Sequence, residues 1–573
     1  MNNQLVAKDY LVFIMYFLIV ASYGYWVYQR RRSREHDSKA FFLAEGSLTW
    51  WAIGASLIAS NISAEQFIGM SGNGFFVGVA VSAYEWIAAL ALIIIAIWFM
   101  PVYLKNRIFT MPQFLKTRYN ESVSLIMAIF WLFLYVFVNL TSILYLGAIA
   151  IYGLLPHNSG HDYFHWVMIG LAIFSIIITL GGMKVIGYTD VIQVSVLIIG
   201  GLATAYMALS KIGGGQGAIA GFHNMMNVAP EHFHMILAKP TPDVVQTAQS
   251  NGVNAADAQN YINKYLILPG ILMYACGQWI VNLNYWGCNQ YITQRALGAN
   301  LPTARTGILF AALLKLLMPV IVMLPGIAAY VLVKQGQLHP LAKMDDAYSS
   351  VLGFLPAGLK GLSIAALTAA IVASLAGKAN SISTIYTLDI YKKYINKDAS
   401  EKRMVWMGRL VVLCAMVVGI LFTWKDLLGI SGTGGFTYIQ KYTGFISPGV
   451  FAMFILGMFW KRTTGTAAIV GLLTGLITCI FFNEFAPQVF GNETWLYTAY
   501  PNGQGGYEIP FLIAMGISFV ITIIVMVVIS LAGPKINPKA FALDNSMFKL
   551  QPKLIALIVL ILLILTALYV KFW

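Results

Sequence analysis

The sequence predicts an all-α polytopic membrane protein with about fourteen transmembrane helices, and three observations carry that expectation. The 573-residue chain is 59% hydrophobic and only 10% charged, where a soluble domain carries about a quarter charged residues. Apolar runs of about 20 residues recur from one end to the other, each long enough to cross a hydrocarbon core of about 30 Å. With the N-terminus outside, the inner loops and helix ends hold 24 Lys and Arg, against 9 on the outer side and 3 within spans, which is a positive-inside pattern. The net charge of +14 is thus a topology signal, and nucleic acid is not expected as a partner. The chain 1–573 reads as one transmembrane unit in the lipid bilayer of the cell (inner) membrane, with both termini outside.

The elements follow in order. The first span, 10–28, carries its basic cluster "QRRRSREH" after the apolar run. That is the reverse of a cleaved signal peptide, so it reads as an extra N-terminal helix with a cytoplasmic anchor. The second, 49–73, reads "WWAIGASLIASNISAEQFIGMSGNGF" and is interrupted near its middle by Asn, Ser and Gly. The third (76–104) and fourth (122–153) are long and apolar, and the fifth (165–181) and sixth (190–210) are shorter. The loop 211–262 holds "GGGQG" and an Ala/Asn/Gln-rich stretch and predicts an outer cap of short helices. The seventh span, 263–289, is again interrupted, in "MYACGQWIVNLNYWGCNQYITQR". Spans at 306–333, 359–385, 407–424, 435–460, 466–484, 510–533 and 554–570 complete the chain. Cys276, Cys288, Cys414 and Cys479 fall in apolar segments without metal or disulfide spacing and read as packing residues.

The two interrupted spans stand five apart and run in opposite directions. Broken helices at matching positions of two halves point to a transporter site between inverted repeats. The expected division is a first repeat over 49–210 and a second over 263–460, flanked by the extra helix 10–28 and the C-terminal helices of 466–573.

Few ionisable residues lie inside the spans. Glu85 in "SAYEWIAAL" and Lys315 in "FAALLKLLMP" each sit about nine residues into their helix, which puts both near mid-membrane at about 1.5 Å per residue. Gln66, Asn282 and Gln440 add amides. Hydroxyls both donate and accept, so one acid, one base and several amides suit a neutral hexose. Tyr285 and Trp286 offer flat faces to a pyranose ring. Lys378, in "IVASLAGKANS", is a cation deep in the ninth span, where a charge is costly and functional by default. His157, His161 and His165 cluster in an outer loop without a fourth ligand, and no Ser/His/Asp set or phosphate loop lies within the spans. A carrier is expected rather than an enzyme, without cofactor; a sugar sensor or a carrier of another small polar solute is the competing class.

Long stretches, among them "ASLIASNISAEQFIGMSGNG", "AYEWIAAL", "NLNYWGCNQYITQRAL", "SISTIYTLDIYKKY" and "YIQKYTGFISPG", resemble the sodium/solute symporters, in particular the sodium/sugar cotransporter branch. The resemblance implies fourteen helices around a leucine-transporter-like 5+5 inverted-repeat core. It implies sugar ligands at Gln66, Glu85, Asn282, Lys315 and Gln440, an inner gate at Tyr285, and an outer gate of Met70, Tyr84 and Phe436. For Na+, the single metal ion implied, it gives backbone carbonyls of Ala59, Ile62 and Ala370 and two adjacent serine hydroxyls, here Ala373 and Ser374, with Asp190 on the exit path. One hydroxyl is therefore absent. Lys378 stands one turn beyond Ser374, where the branch carries an apolar residue. Its ammonium is expected either to reach the sodium position or to pair with Asp190, and a sodium-independent uniporter or proton-linked carrier is the alternative to sodium symport.

Overall fold

The computed structural model describes residues 5–29, 48–152, 163–250, 252, 254–341, 343–425 and 435–573. The cluster "QRRRSREH" falls almost wholly outside the described residues, as do His157 and His161. His165 has its Nε2 3.1 Å from the Trp424 carbonyl.

The helices used below are α1 (Ala7–Val27), α2 (Trp50–Asn61), α3 (65–76), α4 (Val79–Lys105), α5 (Glu121–Tyr152), α6 (Phe164–Leu180) and α7 (Val185–Ile212) in the first half. They continue with α8 (Ala255–Ala275), α9 (Gly277–Cys288), α10 (Gln290–Leu297), α11 (Leu301–Lys334), α12 (Leu359–Ile395) and α13 (Glu401–Thr423). The last are α14 (Gly435–Gly444), α15 (Ser447–Phe459), α16 (Gly465–Phe490), α17 (Phe511–Leu531) and α18 (Pro552–Phe572). Among the described residues, eleven helices are long and apolar enough to cross a membrane, or twelve if the bent pair α8–α9 is one span. The expected fourteen are therefore not reached by length and composition: α2 and α3 are halves of a broken span, and α6 is a shorter apolar helix. The four cysteines form no disulfide; Cys288 and Cys479 are buried, whereas Cys414 is exposed on α13.

Both expected interruptions are present, and each has a local cause. Between α2 and α3 the chain leaves helical geometry at Ile62 (φ −80°, ψ 112°). Gln66 Oε1 accepts from the Ser63 N–H at 3.0 Å, and Ser63 Oγ accepts from the Glu65 N–H at 3.2 Å. Ser63 and Gln66 thus each answer a backbone N–H with a side-chain oxygen, and they restart the helix in mid-span as such caps do at a surface. Between α8 and α9 the helix axis turns by 82° at Cys276. Gly277 is required there, because a Cβ would lie 2.6 Å from the Leu512 carbonyl oxygen on α17. A second interruption follows at Asn289 (φ −95°, ψ 123°), between α9 and α10.

The broken helix is the hub. α2 packs on α7, α11 and α12, the start of α3 packs on α14, and α9 packs on α4. Buried arginines tie one end of the bundle together. Arg118 donates to the carbonyls of Gly457, Trp460 and Thr463, and Arg305 to those of Ala96, Ile97, Met547 and Lys549, so that each guanidinium uses its several N–H donors to hold separate stretches of backbone together. At the other end the expected cap forms from Ala218–Val228, Pro230–His232 and Pro242–Ala248. Its Met235 N–H donates to the Phe572 carbonyl at the end of α18.

His232 locks that cap to the hub. Its Nε2 lies 2.9 Å from the Phe75 carbonyl on α3, and its ring stacks on Tyr330 with centroids 3.9 Å apart. At Gly78 (φ 104°) any side chain would run into the His232 backbone. Burial pushes the His232 pKa down to about 4. The folded protein thus refuses a proton that the unfolded chain takes up below about pH 6.5, so stability falls as pH drops from there towards 4. Thermal unfolding in detergent at pH 7 and pH 5 should show a larger loss for wild type than for His232→Phe; equal losses would place the pH dependence elsewhere.

Candidate substrate and ion site

One cavity at the hub brings the predicted sugar ligands together. Gln66, Glu85, Asn282, Lys315 and Gln440 all line it, as do Tyr84, Tyr285, Trp286 and Phe436. Met70 is fully buried on α3 but is not part of that lining. Three broken or short elements supply the side chains, the α2–α3 restart, α9 and α14, and two continuous helices, α4 and α11, supply the acid and the base.

The acid and base meet as the equal-depth reading expects. Lys315 Nζ donates to Glu85 Oε2 and to Asn61 Oδ1, and lies 5.1 Å from the centroid of the Trp286 ring. The Lys315 and Glu85 side chains are 1% and 4% exposed. Both charges are thus desolvated, and the pair survives because each partner answers the other. Asn282 Nδ2 donates to the Gln278 carbonyl at 2.9 Å within α9, which aims its amide from a fixed turn of the helix. Gln66 does two things: it faces the cavity, and its carbonyl oxygen holds the Ser63 backbone.

Aromatic contacts border the cavity. Tyr84 and Phe436 meet edge to face with centroids 5.1 Å apart, and Gly69 brings α3 close against Phe436. The Tyr285 hydroxyl accepts from Asn61 Nδ2 at 3.1 Å and is hydrogen-bonded to the Tyr291 hydroxyl. Asn61 therefore connects Lys315 to Tyr285, a link that sequence reading missed, although Asn61 stands within the interrupted stretch.

The residues expected around an ion divide in two. Ala59 and Ile62 lie at the end of α2, and Ala370, Ala373 and Ser374 on the face of α12; all are buried. The Ser374 hydroxyl has no hydrogen-bond partner, and neither has that of Ser60. Asp190 does not pair with Lys378, which corrects one of the two expectations for that lysine. Asp190 accepts from Ser56 Oγ, and Arg295 Nη2 stands 3.9 Å from its Oδ2. A guanidinium from α10 reaches Asp190 because Gly377 leaves room for it on α12. Lys378 faces Glu65 instead, with Nζ 3.8 Å from Oε1, and both side chains border the cavity. Lys378 is 2% exposed, so it does not run out to water. Glu65 and Arg295 were not singled out from the sequence. Glu65 was in plain view, since a carboxylate one residue from Gln66 at an interrupted span is as costly as Lys378.

Residues 41–475 match the model of the sodium:solute symporter family. The chain is similar to a sodium/glucose cotransporter of Vibrio parahaemolyticus, with 40% identity over 99% of this chain and 98% of that protein. It is also similar to the human sodium/myo-inositol cotransporter 2, at 34% identity over 82% and 68% of the two chains. Among solved structures, a Na+-coupled sialic acid symporter in a substrate-bound outward-open state superposes with a TM-score of 0.73 at 19% identity, covering 93% of this chain and 99% of that one. That likeness establishes a shared fold.

Breaking the central pair should be costly. Lys315→Met leaves the Glu85 carboxylate buried alone, with an expected loss of about 3–5 kcal/mol. The double change Glu85→Gln with Lys315→Met removes both charges and should recover most of that loss. Unfolding midpoints in detergent measure both, and a double variant as unstable as the single would show that the charges are not coupled.

Proposed function

The chain belongs to the sodium:solute symporter family, and on that premise we propose that it carries a neutral hexose across the cell membrane by alternating access, with Na+ as the coupling ion. The observation that supports this most directly is the cavity: the buried Glu85–Lys315 pair, the amides of Gln66, Asn282 and Gln440 and the aromatic side chains of Tyr84, Phe436, Tyr285 and Trp286 all border one space. The pair is neutral as a whole, which matches a solute with no charge of its own. Glu85 accepts, Lys315 donates, and the amides of Gln66, Asn282 and Gln440 do both, so a ring of hydroxyls finds partners on every side. Tyr285 and Trp286 give the C–H face of the ring an apolar surface. The same inventory suits a cyclic polyol such as the inositol carried by the human relative, so inositol belongs among the competitors tested.

Na+ is assigned to the opened backbone at Ala59 and Ile62, together with Ala370 and the unpartnered Ser374 hydroxyl, with Asp190 on its path to the inside. Carbonyl and hydroxyl oxygens are hard donors, suited to a small cation, and a broken membrane helix frees the carbonyls. The repeats 49–210 and 263–460, each opening on a broken helix, are the two bodies that exchange access, with the extra helices outside them. The bias of Lys and Arg among the loops supports an orientation with both termini outside.

Two outcomes test the reading. Purified protein in liposomes should exchange labelled glucose or galactose in counterflow; no exchange of any hexose or inositol would overturn it. Asn282→Ala and Gln440→Ala each leave sugar hydroxyls unpaired in a desolvated site, at about 1–3 kcal/mol, or roughly 5- to 150-fold in affinity. Hexose binding unchanged in both variants would put the site elsewhere.

Tyr285 holds Asn61 and Tyr291 through one hydroxyl. Tyr285→Phe keeps the ring beside the sugar and removes both bonds, so exchange should speed up with little change in affinity. An unchanged exchange rate would count against a gating role.

A further inference from the structure

Lys378 and Glu65 form a second buried ion pair at the sugar cavity, 3.8 Å from Nζ to Oε1. The ammonium also lies 5.1 Å from the centroid of the Tyr291 ring, and Tyr291 is bonded to the gate residue Tyr285. Around this layer carboxylates and cations match one for one among the described residues: Glu65 with Lys378, Glu85 with Lys315, Asp190 with Arg295. A free cation entering it adds a charge that no carboxylate balances, and unbalanced charge in a desolvated interior is expensive. Oxygen donors are also few. Ser374 stands one turn before Lys378, on the same face of α12, buried and without a partner, but Ala373 beside it offers no oxygen. Glu65 Oε1 has no hydrogen-bond partner either. It is an anionic oxygen at the broken helix, held by an ammonium at ion-pair distance.

Resting on the proposed sodium-coupled reading, we infer that Lys378 is a tethered competitor for the coupling ion: its ammonium holds Glu65 and the cation position beside Ser374, and Na+ binds only against it. The consequence is a carrier with weak sodium activation. Removing the ammonium frees Glu65 for Na+ and makes the protein demand the ion.

The test is sugar uptake by purified protein in liposomes, with Na+ titrated against choline, for wild type, Lys378→Met and Lys378→Gln. Both variants should lower the half-saturating Na+ by about tenfold or more, and adding Ala373→Ser should lower it further. Thermal unfolding provides a readout independent of transport and of how well a variant moves sugar. NaCl in place of choline chloride should raise the midpoint of Lys378→Gln by several degrees and that of wild type hardly at all. Glu65→Gln with Lys378→Met, which lacks both charges, should respond like wild type. Equal Na+ half-saturation and equal Na+ stabilisation in wild type and both single variants would overturn the inference. Hexose counterflow by wild type in choline alone reports separately on whether the protein is a sugar carrier.

Discussion

Everything at the centre of this molecule depends on how a helix can be opened inside a membrane. Hydrocarbon offers no hydrogen bonds, so each backbone group freed by a break must be answered by protein. Between Asn61 and Glu65 it is answered by Ser63 and Gln66, a helix-start motif that works in mid-membrane as it does at a surface. Because the restart is stabilised locally, the surrounding side chains are released for other work. Asn61, Glu65 and Gln66 then face one cavity, and Ser60 lies against Gly377 on the neighbouring helix.

The charges follow from the same constraint. No ionised group can be left alone at this depth, so the core carries its charges as couples: Glu85 with Lys315, Glu65 with Lys378, Asp190 with Arg295. Each couple joins separate helices, and each touches the broken helix or its neighbours. Lys315 reaches Asn61, Asn61 reaches Tyr285, and Tyr285 reaches Tyr291 beneath Lys378. A polar chain therefore runs from Lys315 through Asn61 to Tyr285 and on to the second ion pair. Any solute that takes Lys315's attention also alters what holds Tyr285. That is the kind of linkage a carrier needs if substrate and gate are to move together.

The frame around this chain is stiffened at both ends by a small number of polar clips. Arg118 and Arg305 gather seven carbonyls between them, and the cap is fixed through His232 and Met235. Rigid ends leave the broken middle as the place where rearrangement costs least, since its helical pieces are short and every bond described there uses at least one side chain.

Much of this was determined by the sequence alone. Apolar runs of bilayer length, the inward bias of Lys and Arg, and Gly, Asn and Ser in two spans five apart gave the class and located the breaks. Depth along each helix placed Glu85 opposite Lys315, because a rise per residue is fixed by helix geometry and does not depend on packing. What tertiary structure decided was partnership. For Lys378 the sequence offered Asp190 as a partner, and depth along the helix could not tell it from Glu65. The choice was made by α10, whose Arg295 had already taken Asp190 through the gap at Gly377, leaving Glu65 for Lys378. Likewise nothing in "ASNIS" told that Asn61 would bridge Lys315 and Tyr285, since both lie more than two hundred positions from it along the chain. Helical period and composition are local and can be read from the chain; which charge finally faces which is settled only when the helices pack.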